Sequence, residues 1–189
     1  MDTELTNQKD KNDKVLQELK NVEAKRQKYE NECKQFSRAN NIKVRGIADK
    51  NPRETSRESA EKVITTLREN SICNISMADI DIAHQLPNKY NQNRDIIVRL
   101  RSRQTKSDIL SYRTKLKVSN IYINDDLTKL NLHLLMCVKK KITDEINDAW
   151  YFNGKILYKN HMNKTKMVKF EEYEHWINLP WPNSSPRRA

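Results

Sequence analysis

The chain has 189 residues, 36% of them hydrophobic and 32% charged, with two glycines and five prolines. That is enough apolar material for one ordinary core or two small ones, and it excludes a collagen-like or low-complexity chain. No apolar run approaches the ~20 residues that span a bilayer and the first residues are polar, so a soluble, intracellular protein with no membrane partner is expected.

The formal charge is +11, unevenly placed. Residues 1–38 hold nine Lys/Arg against eight Asp/Glu, and residues 39–90 hold eight against seven. Residues 91–126 hold eight against four and residues 127–189 eleven against six, so nine of the eleven excess charges follow residue 90. A basic half joined to a neutral half points to a polyanion-binding surface. A merely solvated surface is the plainer alternative. Cys33, Cys73 and Cys137 are odd in number and far apart, and the four histidines are equally scattered. They form neither a disulfide framework nor a metal-ligand cluster, so reduced thiols, no metal and no cofactor are expected.

Residues 1–38 lack Gly and Pro and mix charges freely, which predicts one helix. Val15, Leu19, Val22, Tyr29, Cys33 and Phe36 are spaced by alternating fours and threes, with Arg26 in the vacant slot. This is a heptad seam with Leu19, Arg26 and Cys33 at a and Val15, Val22, Tyr29 and Phe36 at d. Extended backwards it places Asn12 and Leu5 at a, and Gln8 and Met1 at d. Arg26 is compatible with it, since its apolar stem can lie along the seam while the head reaches water. One helix cannot bury such a stripe alone, so a partner copy is expected, with packing on the same chain as the alternative. Glu18, Glu23 and Lys25 at flanking e and g positions favour the partner copy, dimer or trimer.

At Asn40-Asn41 the period changes. Ile42-Lys43-Val44-Arg45-Gly46-Ile47 alternates as a half-buried strand. After a polar loop, Thr55-Ser56-Arg57-Glu58 has capping-box spacing ahead of the stripe Ala60, Val63, Ile64 and Leu67. Strands follow at Ile80–His84 and Asp95–Arg101, then a helix over 105–116 and a strand at Ile121–Ile123. The order β-α-β-β-α-β is the ferredoxin-like arrangement used by RNA-recognition-motif domains. Asp126 or Thr128 can cap a further helix, whose apolar face is Leu127, Leu130, Leu134, Leu135, Val138, Ile142 and Ile146. Asn153-Gly154 between 149–152 and 155–158 predicts a hairpin, because both turn residues must take positive φ. Lys166–Phe170 adds a strand, Glu171–Ile177 a closing helix. The expected fold is therefore α+β: a coiled coil (1–38), an RNA-recognition-motif-like domain (39–126), a small α-β-β-β(-α) domain (127–178) and a flexible tail (179–189).

If Ile42, Val44, Ile96, Val98 and Leu100 face inward, then Lys43, Arg45, Arg99 and Arg101 share the outer sheet face with Asp95 and Ile97. The aromatics that stack bases in typical RNA-recognition motifs are missing from these strands. Phosphate neutralisation is what remains. A second basic cluster is Arg103, Lys106, Arg113, Lys115 and Lys117; a third is Lys139-Lys140-Lys141. The hairpin interleaves Trp150, Tyr151, Phe152, Lys155, Tyr158 and Lys159, a pattern that can stack single-stranded bases through residues such as Tyr151 and Tyr158. Alternatively, Trp150, Phe152 and Ile156 form a small core, since alternation lets only half of these side chains face outward. No Gly-rich phosphate loop, nucleophile elbow or His-containing metal motif occurs, so neither an enzyme nor a small-molecule substrate is expected.

The stretch Asn40–Ile47 after a coiled coil resembles the core of LINE-type first-open-reading-frame proteins. So do Ile121-Tyr122-Ile123-Asn124-Asp125-Asp126-Leu127-Thr128 before Leu134-Leu135 and a basic helix, and Ala149-Trp150 with Asn153-Gly154-Lys155-Ile156. The C-terminal pattern also resembles the baculoviral few-polyhedra protein and arthropod retroelement-derived proteins. Ala48 stands where that family often has Pro, and Phe152 where it often has Arg. The resemblance covers roughly residues 30–178. It implies a coiled-coil trimer that binds single-stranded RNA or DNA and acts as a nucleic-acid chaperone in a cytoplasmic ribonucleoprotein, or in the nucleus. It also implies that the basic strand residues, Lys139, Lys140, Lys141 and Lys155 touch the backbone. The alternative is a non-enzymatic assembly or trafficking protein like the baculoviral relative.

Overall fold

In the computed structural model, residues 2–49, 51, 53–88, 93–141 and 145–182 are described. The expected side chains Met1, Leu5 and Ile142, and the tail from residue 183, lie outside the described residues. The chain divides into two compact units, Ser37–Leu127 and Met1–Phe36 with Thr128–Ala189.

In the first unit, alternation along β1 (Asn41–Arg45) and β3 (Ile96–Leu100) buries Ile42, Val44, Ile96, Val98 and Leu100. These are the five residues expected to face inward, and each fully buried aliphatic side chain contributes about 1.5–3 kcal/mol. Helix α2 (Ser56–Glu69) lays Ala60, Val63, Ile64 and Leu67 on them. It starts at the expected capping box: Thr55 Oγ1 accepts from the Glu58 amide at 3.2 Å, and Glu58 accepts from the Thr55 amide at 2.7 Å. Strands β2 (Ile80–Gln85) and β4 (Tyr122–Asp125) complete an antiparallel sheet of order β2-β3-β1-β4.

The second helix of this unit is shorter than expected. α3 (Arg103–Tyr112), capped by Ser102, tightens into a 3₁₀ segment over Arg113–Ser119. The tighter turn buries Leu116 and ends at Asn120 in the left-handed region, φ 55. That turn rests against Gly46, φ +97, where a Cβ would lie 2.2 Å from the Asn120 carbonyl oxygen. Only glycine fits there.

The other unit pairs helix α1 (Asp2–Phe36) with helix α4 (Lys129–Lys141), the sheet β5 (Ile146–Phe152), β6 (Lys155–Asn160), β7 (Thr165–Met167), and helix α5 (Tyr173–Asn178). Thr128 caps α4, its Oγ1 accepting from the Asn131 amide at 3.2 Å. The expected apolar face of this helix is corrected at both ends: Leu127 precedes the cap, and Ile146 opens β5. Leu134, Val138, Ile146, Ala149, Ile156, Val168 and Trp176 form the core. Asn153 and Gly154 have φ 46 and 82, as the expected hairpin requires. The third strand ends at Met167 rather than Phe170, because Val168 turns into the core and Phe170 enters a 3₁₀ turn. Leu179 packs on the same core, and Lys141 lies 4.6 Å above the Trp181 ring.

Candidate nucleic-acid interface

On the face of the four-stranded sheet opposite the core, Arg45 and Tyr122 are register partners, as are Arg99 and Ile82. The acid balance there differs from expectation. Lys43 Nζ lies 2.9 Å from Asp95, and Arg45 donates to both Asp95 oxygens at 3.1 Å. Burial pushes the Asp95 carboxyl up, but hydrogen bonds from Arg45 and Lys43 outweigh this and hold it below its usual range. Arg99 faces a second acid, Asp81, at 3.6 Å. A bulge between Ile80 and Ile82 leaves Asp81 outside the register and exposed, so four cations meet two acids here, not one. Arg101 lies past the end of β3, exposed, its Nε 3.4 Å from the Ile80 carbonyl. Ile97 is buried although it lies outside the core cluster. Beside Asp95, a cleft of about 790 Å³ is lined by Lys43, Arg45, Gly46, Leu86, Pro87 and Asn88, among others.

The second basic cluster loses Lys106, which is buried, ion-paired with Asp125 at 2.7 Å and donating to the Ala39 carbonyl at 2.9 Å. Arg103, Lys115 and Lys117 are exposed and Arg113 half-buried. Lys115 sits 5.0 Å over the exposed Tyr112 ring, a cation–π pair.

The run Lys139-Lys140-Lys141 does not act as one patch, because successive helical residues are turned about 100° apart. Lys139 is 3.6 Å from Asp148, Lys140 is exposed, and Lys141 is half-buried with its Nζ 2.6 Å from the Ile177 carbonyl.

In the hairpin, the expected stacking tyrosines are corrected. Tyr151 and Tyr158 pack on the core, and Tyr158 meets Trp176 edge-to-face at 5.6 Å. Trp150, Phe152, Lys155, Leu157 and Lys159 alternate with them and occupy the opposite face. Tyr122, 42% exposed beside Arg45, is a functional candidate that sequence reasoning missed. Its place next to the inward Ile123 in an alternating strand was the available signal.

Helix α1 has two distinct faces. Val15, Leu19, Val22, Tyr29 and Phe36 are each more than half exposed, and Cys33 and Arg26 are also exposed. Arg26 forks onto Glu23 at 2.8 and 2.9 Å; that bond and one from Gln27 hold the Glu23 carboxyl down to about 2. The helix docks through its c and f positions instead. Gln35, 6% exposed, accepts from the Thr128 amide and from Asn131 Nδ2, both at 2.9 Å. Asn31 donates to Asn131 Oδ1 at 2.9 Å and accepts from Thr128 Oγ1 at 2.7 Å. Lys28 lies 5.6 Å from the Phe170 ring centroid.

Among the described residues no group of three or more His, Cys, Asp or Glu could hold a metal ion, and no helix is long and apolar enough to cross a membrane. No family model matches the chain, and no curated protein is significantly similar to it.

Proposed function

We propose that the chain is a homo-oligomeric, non-enzymatic protein of retroelement or viral type that binds single-stranded nucleic acid and acts as a chaperone on it. In this reading residues 37–127 are an RNA-recognition-motif-like module, supported by the β-α-β-β-α-β order and the β2-β3-β1-β4 sheet. The observation that carries it is that Arg101, Lys115 and Lys117 in one unit, and Lys140 and Lys155 in the other, are exposed and have no carboxylate partner among the described residues. Such cations are the ones that release counterions on meeting phosphates. Lys43, Arg45 and Arg99 already hold acids, so they contribute less than their number suggests. That internal pairing favours the second reading, an assembly protein whose sheet face is simply solvated.

Fluorescence anisotropy with short single-stranded RNA and its DNA equivalent, across a salt series, separates the two. Submicromolar binding with a log–log slope of several units is expected, falling by about 0.7 for each of Arg101→Ala and Lys117→Ala. Affinity weaker than about 100 μM at physiological salt would leave only the assembly reading.

The same titration tests Asp95. Asp95→Asn releases the Lys43–Arg45 pair from its internal anion, so affinity is expected to rise several-fold and the slope to steepen by up to about 1.4, two contacts' worth. Because Asp95 titrates below the usual carboxylate range, mild acid does not mimic the substitution. An unchanged affinity and slope would remove Lys43 and Arg45 from the interface.

A further inference from the structure

We propose that the outward face of the β5-β6-β7 sheet is a base-stacking platform with Phe152 as its principal side chain; this rests on the nucleic-acid reading above and says which part of the ligand that face takes.

The register defines the face. Trp150, Leu157 and Met167 line up across the three strands. Phe152 and Lys155 form the neighbouring row towards the hairpin tip, and Asp148, Lys159 and Thr165 the row on the other side. None of these residues belongs to the unit's core, which lies on the opposite face with Ala149, Tyr151, Ile156 and Tyr158. Phe152 is 59% and Met167 43% exposed. Trp150 and Leu157 between them are half-buried, so Phe152 and Met167 are the apolar side chains that the fold leaves open on this face.

Its charge and shape choose the occupant. Lys155 stands directly across from Phe152, and neither it nor Lys159 has a carboxylate partner among the described residues. The one acid on the face, Asp148, is 3.6 Å from Lys139. The face is therefore net positive, which suits a polyanion. It is a sheet surface rather than a groove, so an amphipathic helix has nothing to lie in. A ring with a cation one strand away matches a nucleotide, the base on the ring and the phosphate on the ammonium. Duplexes keep their bases stacked internally, so the platform selects single strands.

The test uses the full chain and two labelled strands of about 20 nucleotides, oligo-thymidine and an abasic strand with the same phosphates. The wild-type protein should bind the thymidine strand on the order of tenfold more tightly than the abasic one, the amount expected per stacked base. Phe152→Ala should abolish most of that preference without altering abasic affinity, and Phe152→Tyr should keep it. Equal wild-type binding of both strands would overturn the platform and leave backbone binding standing. Equal losses on both strands in Phe152→Ala would also overturn it, and binding of neither strand would sink both readings.

Discussion

Replacing Gln35 by leucine should destabilise the unit built from α1 and residues 128–182 by about 2–4 kcal/mol, because it leaves two buried donors unsatisfied at about 1–3 kcal/mol each. The donors are the Thr128 amide and Asn131 Nδ2, both bonded to Gln35 Oε1 at 2.9 Å, and Asn131 is only 3% exposed. Leucine fills a similar volume, so the loss is chemical rather than a cavity. Urea unfolding should show a lower midpoint with an unchanged m-value. Gln35→Leu combined with Asn131→Leu should recover only the share due to Asn131 Nδ2, since the Thr128 amide stays unpaired and the half-buried Asn31 loses its acceptor. A change below about 0.5 kcal/mol, the range of ordinary surface substitutions, would show that the amide cluster does not hold α1 in place. The same contacts set where the helix can be truncated: removal of residues 1–27 leaves Asn31 and Gln35 intact, whereas removal of 1–36 strips the polar cap from α4.

This contact had no signature in the sequence. Hydrophobic periodicity marks a seam, but a Gln and an Asn that meet across 96 positions leave no repeat to read. Where local rules decide the outcome, sequence and structure agree: the five inward residues of β1 and β3 follow from period, the Thr55 capping box from side-chain spacing, and the Asn153-Gly154 turn from positive φ. Bulges explain two of the departures. The one between Ile80 and Ile82 freed Asp81 to meet Arg99. The one between Ile146 and Asp148 reverses the parity of β5. Counting by twos from Ile146 would put Trp150 and Phe152 inside, whereas the extra residue puts Ala149 and Tyr151 there. One inserted residue thus turns Tyr151 inward and Trp150 and Phe152 outward, while Tyr158 on β6 faces the core by plain alternation from Ile156.

The heptad seam yields the other large effect. Leu19→Asp with Val22→Asp places like charges at neighbouring a and d positions, where a partner helix would bury them without compensation. On the proposed function, self-association, followed by sedimentation, should be lost, and apparent affinity for a strand long enough to reach several copies should fall by about 10²–10⁴ through lost avidity. Stability of the single chain should hardly change, because both side chains are already more than half exposed and stand apart from the Asn31–Gln35 docking face. The two faces therefore separate experimentally: the Gln35 substitution acts on unfolding, the seam substitution on mass and avidity. A seam variant that keeps wild-type mass would mean the stripe is not the association surface. One that becomes monomeric yet binds long strands as tightly as before would show that each chain binds independently, with the α1 seam serving assembly alone.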